Sequence, residues 1–265
     1  MTPSFRPAWR AALALVAAAA AAQQVEPFEE PPISYSATPA KDVATAINAR
    51  FQAQADEIRS LPAKKRLKWL LDELGIPAES QLLVFSKTSL QVDRISATTP
   101  RALYFGDDTT IGYVQGGLLE VATFDARDGV ALYTRPMAGP TRSFERHSAE
   151  CASCHGVTRL LLQSVTPARD GMPLLAFTGS ELPINVDYRT PFEQRWGGWY
   201  VTGTHGTMRH RGNAVAPDPL KPYDLDLSAN TNRTTLPDTI DRTQYLAPTS
   251  DIVALMTYEL SLIHI

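Results

Sequence analysis

Five consecutive residues, Cys151-Ala152-Ser153-Cys154-His155, hold the most specific chemistry in this chain of 265 residues. Two thiols three positions apart share one side of a helix, and an imidazole follows directly. Three chemistries use such a set. C-x-x-C-H is the attachment pattern of a covalent haem, with both thiols reaching the vinyl groups of one porphyrin and His155 aimed at the iron as proximal ligand. A redox dithiol needs a βαβ setting, and the stretch from Thr141 to Glu150 is polar with no buried-strand run. A structural zinc site needs a second pair of ligands, for which His205 and His210 have an unfamiliar spacing. The chain has 2 cysteines in all, so neither has another partner in the sequence. Haem attachment is the reading adopted.

On these residues the chain resembles the c-type cytochromes. The resemblance implies one haem held by thioethers at Cys151 and Cys154, attached outside the bacterial inner membrane, within a mainly helical cytochrome c-like region. The N-terminus agrees from an independent direction. Arg6 and Arg10 precede an uncharged apolar run, Ala11 to Ala22, which ends in small residues before Gln23. That is the pattern of a secretory signal peptide, and the run is short of the roughly twenty residues that span a bilayer. No cysteine follows the cleavage point, so no lipid anchor is expected. The protein is expected in the periplasm or outside the cell.

A six-coordinate iron needs a ligand beyond His155. Gly171-Met172-Pro173 resembles the surroundings of some axial methionines, but it follows the motif too closely, before the motif's helix has room to end. Gly203-Thr-His-Gly-Thr-Met-Arg-His-Arg-Gly212 is better placed and offers His205, Met208 and His210. Its glycines let backbone approach a ring closely, and Arg209 and Arg211 suit haem propionates. The preceding string from Arg195 to Gly203 resembles that of exported bacterial proteins of an uncharacterised subgroup with a single C-x-x-C-H. This likeness spans residues 150–212 and favours the two histidines over the methionine. Trp196 and Trp199 are expected to wall the haem crevice or to pack in the core. His147 receives no role.

The elements that must position these residues follow from periodicity. Residues 1–22 are the leader and 23–40 a Pro- and Glu-rich extended segment. Val43, Ile47, Phe51 and Ala55 mark a helix over 41–58. Leu67, Leu70, Leu71 and Leu74 mark a second over 63–74, ended by Gly75-Ile76-Pro77. Four β-type runs, at 102–105, 110–114, 118–124 and 130–134, are separated by turn residues and read as an antiparallel meander. The expected fold is thus α+β over residues 41–138, followed by a mainly helical cytochrome c-like region over 139–259. A closing helix is expected from Thr249, capped by Thr249 or Ser250. Residues 260–265 resemble the translation of a sequencing adapter, so the natural chain is expected to continue past them.

Removing the leader takes two arginines and no acids, so the formal charge falls from −3 to −5. A mildly acidic chain argues against nucleic acid or an anionic membrane surface as partner, and the basic run Lys64-Lys65-Arg66 reads as a solvated face. Two function classes compete. One is a monohaem electron carrier working between redox proteins, with a filled coordination sphere and no substrate. The other is a haem enzyme or sensor with a displaceable sixth ligand. A single motif and no evident acid–base constellation favour the electron carrier.

Overall fold

The computed structural model describes residues 27–39, 41–125, 129–137, 143–147, 151, 162–174, 184–222, 224–228 and 230–262. The chain divides into two compact units, one ending at Thr38 and one running from Pro39 to Ile265. The described part of the first is folded into turns, starting with a 3-10 turn at Pro27–Glu29. Phe28 and Tyr35 meet edge to face there, with ring centroids 5.9 Å apart. The Glu29 carboxylate accepts from the backbone N–H and hydroxyl of Ser36.

The second unit is built on one seven-stranded sheet. Its strands are β1 (Leu82–Val84), β2 (Arg101–Phe105), β3 (Thr109–Tyr113), β4 (Leu118–Asp125), β5 (Gly129–Pro136), β6 (Glu145–His147) and β9 (Trp199–Tyr200). They pair antiparallel in the order β6-β5-β4-β3-β2-β1-β9. Strands β7 (Gln163–Ser164) and β8 (Ile184–Asn185) form a separate two-stranded ladder. The meander closes through tight turns. In one, Gly106 N–H bonds the Thr109 carbonyl; in the next, Gly116 takes a φ of +67°, a conformation glycine adopts freely.

Alternation along the strands sends side chains to two cores. Leu83, Phe85, Ala102, Tyr104, Ile111, Tyr113, Val121 and Tyr133 face one side. Helices α1 (Val43–Ala53) and α3 (Ala63–Glu73) cover it with Ile47, Phe51, Leu67, Leu70 and Leu71, while the short α2 (Ala55–Ser60) links them. Asp42 caps α1 by accepting from Thr45 N–H at 3.0 Å, and its other oxygen accepts from the Tyr133 hydroxyl, which pins the helix to β5. Helix α3 ends in a Schellman closure. Ile76 N–H bonds the Leu71 carbonyl and Gly75, at φ +66°, bonds that of Asp72, while Ile76 buries its side chain.

The other side collects Leu82, Val84, Leu103, Phe105, Trp199 and Val201, with Trp196, Leu162 and Val186. Helix α4 (Ile252–Ser261) lies on it through Ile252, Leu255 and Tyr258. Asp251, rather than Thr249 or Ser250, caps α4, accepting from Val253 and Ala254; Val253 and Met256 point outward.

The expected fold class is therefore corrected. The described residues form mostly a large antiparallel sheet with four short helices among them, not a mainly helical cytochrome c-like domain joined to a small meander. Strands β6 and β9, from the region expected to be helical, extend the same sheet at both ends, and among the described residues after 151 the only helix longer than a single 3-10 turn is α4. The physical reason is pairing. The four-run meander leaves two open edges, and the short apolar segments Leu82–Val84 and Trp199–Tyr200 close one of them.

Candidate functional site

Cys154 and His155 lie outside the described residues. Cys151 is half-buried and borders a cavity of about 150 Å³ on the α4 side of the sheet. Register explains the cavity's wall. Thr110, Ala122 and Leu132 stand side by side on β3, β4 and β5, and Leu103 and Val84 continue the apolar surface on β2 and β1. Trp199 lines the end nearest β9 and donates its indole N–H to the Gln163 carbonyl at 2.7 Å. The cavity's charges are paired: Arg101 and Glu120 form an ion pair, and Gln91 adds a 2.7 Å bond to the Glu120 carboxylate. Gly112 makes room for it, since a Cβ there would lie 2.9 Å from the Arg101 guanidinium and 3.0 Å from the Glu120 carboxylate.

A haem can be tested against this surface. Apolar side chains beside a thiol suit a porphyrin edge, with the one charged pair already neutral. The volume is below the roughly 300 Å³ at which ligand pockets commonly begin, so the described wall takes part of a macrocycle and not the whole of it. The residues fit the group on those terms.

His147 adjoins this surface through its neighbours Leu132 and Thr134. It pairs with Leu132 across β5 and β6, in the same cross-strand row as Thr110 and Ala122, and its Nε2 lies 2.6 Å from the Thr134 hydroxyl. Thr134 itself lines the cavity. Nothing in the sequence signals it: Glu145-Arg146-His147 are three polar residues in a row, with no alternation to read as a strand.

The expected ligand loop is not among the described residues that line this cavity. Loop 203–212 runs along the free edge of β9, where Asn213 N–H bonds the Trp199 carbonyl and the Asn213 side chain bonds both Val201 backbone groups. His205 and His210 come together there, Nε2 to Nε2 at 3.1 Å. His205 Nε2 also receives Asn232 N–H at 3.1 Å, so it acts as the acceptor and His210 as the donor. His210 is 1% exposed and packs edge-on against Trp196 with centroids 5.3 Å apart. Burial, helped by the neighbouring His205, lowers its pKa to about 4. Met208 is half-buried, Arg209 exposed, and Arg211 reaches the Thr166 hydroxyl at 3.3 Å. Of the sequence-chosen residues, the structure brings Trp199 to the Cys151 cavity and gathers Trp196, His205 and His210 into a second cluster. Met172 is exposed on a separate turn.

The Arg-Trp-Gly-Gly-Trp-Tyr string is consumed by packing. Arg195 and Trp196 each donate to one oxygen of the buried Glu259 on α4, at 2.7 and 2.6 Å. Gly197 passes so close to the Val165 carbonyl that a Cβ would lie 2.1 Å from it, and Gly198 at φ +87° lies against Ser86. Tyr200 donates to the Ala97 carbonyl on the opposite face, and burial pushes its pKa up to about 12. Glu259 went unnoticed in the sequence; its signal is a lone carboxylate directly after the core-facing Leu255 and Tyr258. Comparison with family models, curated proteins and solved structures finds no match for this chain. Among the described residues, no helix is long and apolar enough to cross a membrane.

Proposed function

We propose that this chain is an exported c-type cytochrome, periplasmic or secreted, that holds one haem covalently through Cys151 and Cys154, takes His155 as axial ligand, and passes single electrons between redox proteins. The observation that carries the reading is the C-x-x-C-H string. The cavity that Cys151 borders, with Val84, Leu103, Ala122, Leu132 and Trp199 on its wall, supports it. A haem so bound supplies one-electron redox chemistry. The chain's own residues would supply the seat: Val84, Leu103, Ala122 and Leu132 would exclude water from one edge of the ring. Trp199 closes the end near β9, and the Arg101–Glu120 pair keeps the wall neutral. Such a surface is fixed by the sheet behind it, so little need rearrange when an electron arrives or leaves.

A second reading, a haem enzyme or sensor, is favoured by one observation. Among the described residues lining the cavity there is no Met208, His205 or His210, and the second reading needs no ligand from that loop. Ferric spin state and carbon monoxide binding separate the two. An electron carrier gives a low-spin ferric spectrum at neutral pH, and its dithionite-reduced form takes up carbon monoxide slowly. A high-spin ferric spectrum with rapid stoichiometric uptake assigns the protein to the second class.

A further inference from the structure

We propose that His205 and His210 together hold a second metal ion, a late first-row transition metal with a preference for imidazole, apart from the haem seat. The proposal is independent of the cytochrome reading. It starts from geometry. The two Nε2 atoms face one another at 3.1 Å, and an ion about 2.0–2.1 Å from each would see them at roughly 100°, close to the tetrahedral angle. The rings are held in that pose from outside the pair: His210 by the Trp196 ring and His205 by its own backbone N–H, which donates to the Asn232 side chain at 2.7 Å.

The polar accounting points the same way. Neither Nδ1 has a hydrogen-bond partner, and both atoms are buried. Two imidazoles are therefore withdrawn from water for the bond between them and the one from Asn232 N–H, a poor exchange for the groups left unsatisfied. An ion bound by both Nε2 atoms replaces the bond between the rings with two coordinate bonds and leaves the Nδ1 atoms as they are. The cost is the 3.1 Å bond from Asn232 N–H to His205 Nε2, and Asn232 is exposed, so water can take its place. Gly206, at φ +67° with open space around it, lets the loop adjust. Among the described residues no third ligand stands beside the pair, so zinc would complete its sphere with water.

The test uses the full haem-loaded chain, stripped with a chelator and titrated with zinc. Calorimetry is expected to give one ion per chain. His205→Ala is expected to weaken zinc binding at least about 100-fold with an unchanged haem spectrum. Because His210 is core-packed, its part is read in the wild type, by the shift that zinc produces in the imidazole ring resonances of both histidines in nuclear magnetic resonance spectra. Absence of zinc binding, or equal affinity in His205→Ala, overturns the proposal. So does a shift of the haem towards high spin in that variant, which would make the histidine an iron ligand. Acid-resistant haem retention is unaffected in every arm, so failure here is distinct from failure of the haem assignment.

Discussion

His210 gives the clearest consequence at the scale of single residues. Its folded pKa is depressed to about 4 from an ordinary value of 6.5. The unfolded chain therefore binds the proton more tightly, and the stability it contributes is present above about pH 6.5 and lost as pH falls towards 4. A shift of that size corresponds to about 3 kcal/mol. Urea unfolding at pH 7, 5.5 and 4.5 should show this slope, and His210→Gln should flatten it; an equal slope in the variant would assign it to other groups. Glu259 gives a second test. Its two oxygens satisfy Arg195 and Trp196 in the interior. Glu259→Ala strands a buried guanidinium and should cost about 3–5 kcal/mol in chemical denaturation. A loss under about 1 kcal/mol would mean water reaches the pair. Little of this was legible beforehand. Residue types such as Trp196 and Arg195 were conspicuous, but their partner Glu259 is more than sixty positions away, and no local spacing connects them.

At the scale of elements, legibility followed periodicity. The stripes at Leu67, Leu70 and Leu71 and the four alternating runs of the meander lie where α3 and strands β2 to β5 form, because each carries enough residues to display its repeat. Strand β1 has three apolar residues and β9 two, so neither has a period to read; they exist because they pair with one another across more than a hundred positions. The glycines beside β9 test this local account. Gly197→Ala forces a Cβ into the Val165 carbonyl, whereas Gly206→Ala meets open space and only a positive φ. The first should lose at least about 2 kcal/mol and the second about 1, measured by urea midpoints. Equal losses would show that the Gly197 approach relaxes.

At the scale of the whole molecule, the resemblance to c-type cytochromes suggested a helical envelope, and the sheet replaced it. The motif specifies how a haem is attached and says nothing of the surface it rests against, so architecture could not be read from it. In this fold a seven-stranded sheet turns one face to helices α1 and α3 and offers the other to α4 and the cavity beside Cys151. If that cavity seats the haem, Ala122→Phe should fill it and lower haem per protein several-fold, while far-ultraviolet circular dichroism stays unchanged. Undiminished loading would place the haem elsewhere. The most direct measurement remains that of the covalent bond. Expressed in an export-competent host with haem-maturation machinery, the protein is predicted to keep its haem through acid–acetone extraction, and Cys151→Ala combined with Cys154→Ala to lose it. Quantitative extraction of haem from the unaltered protein would contradict the account.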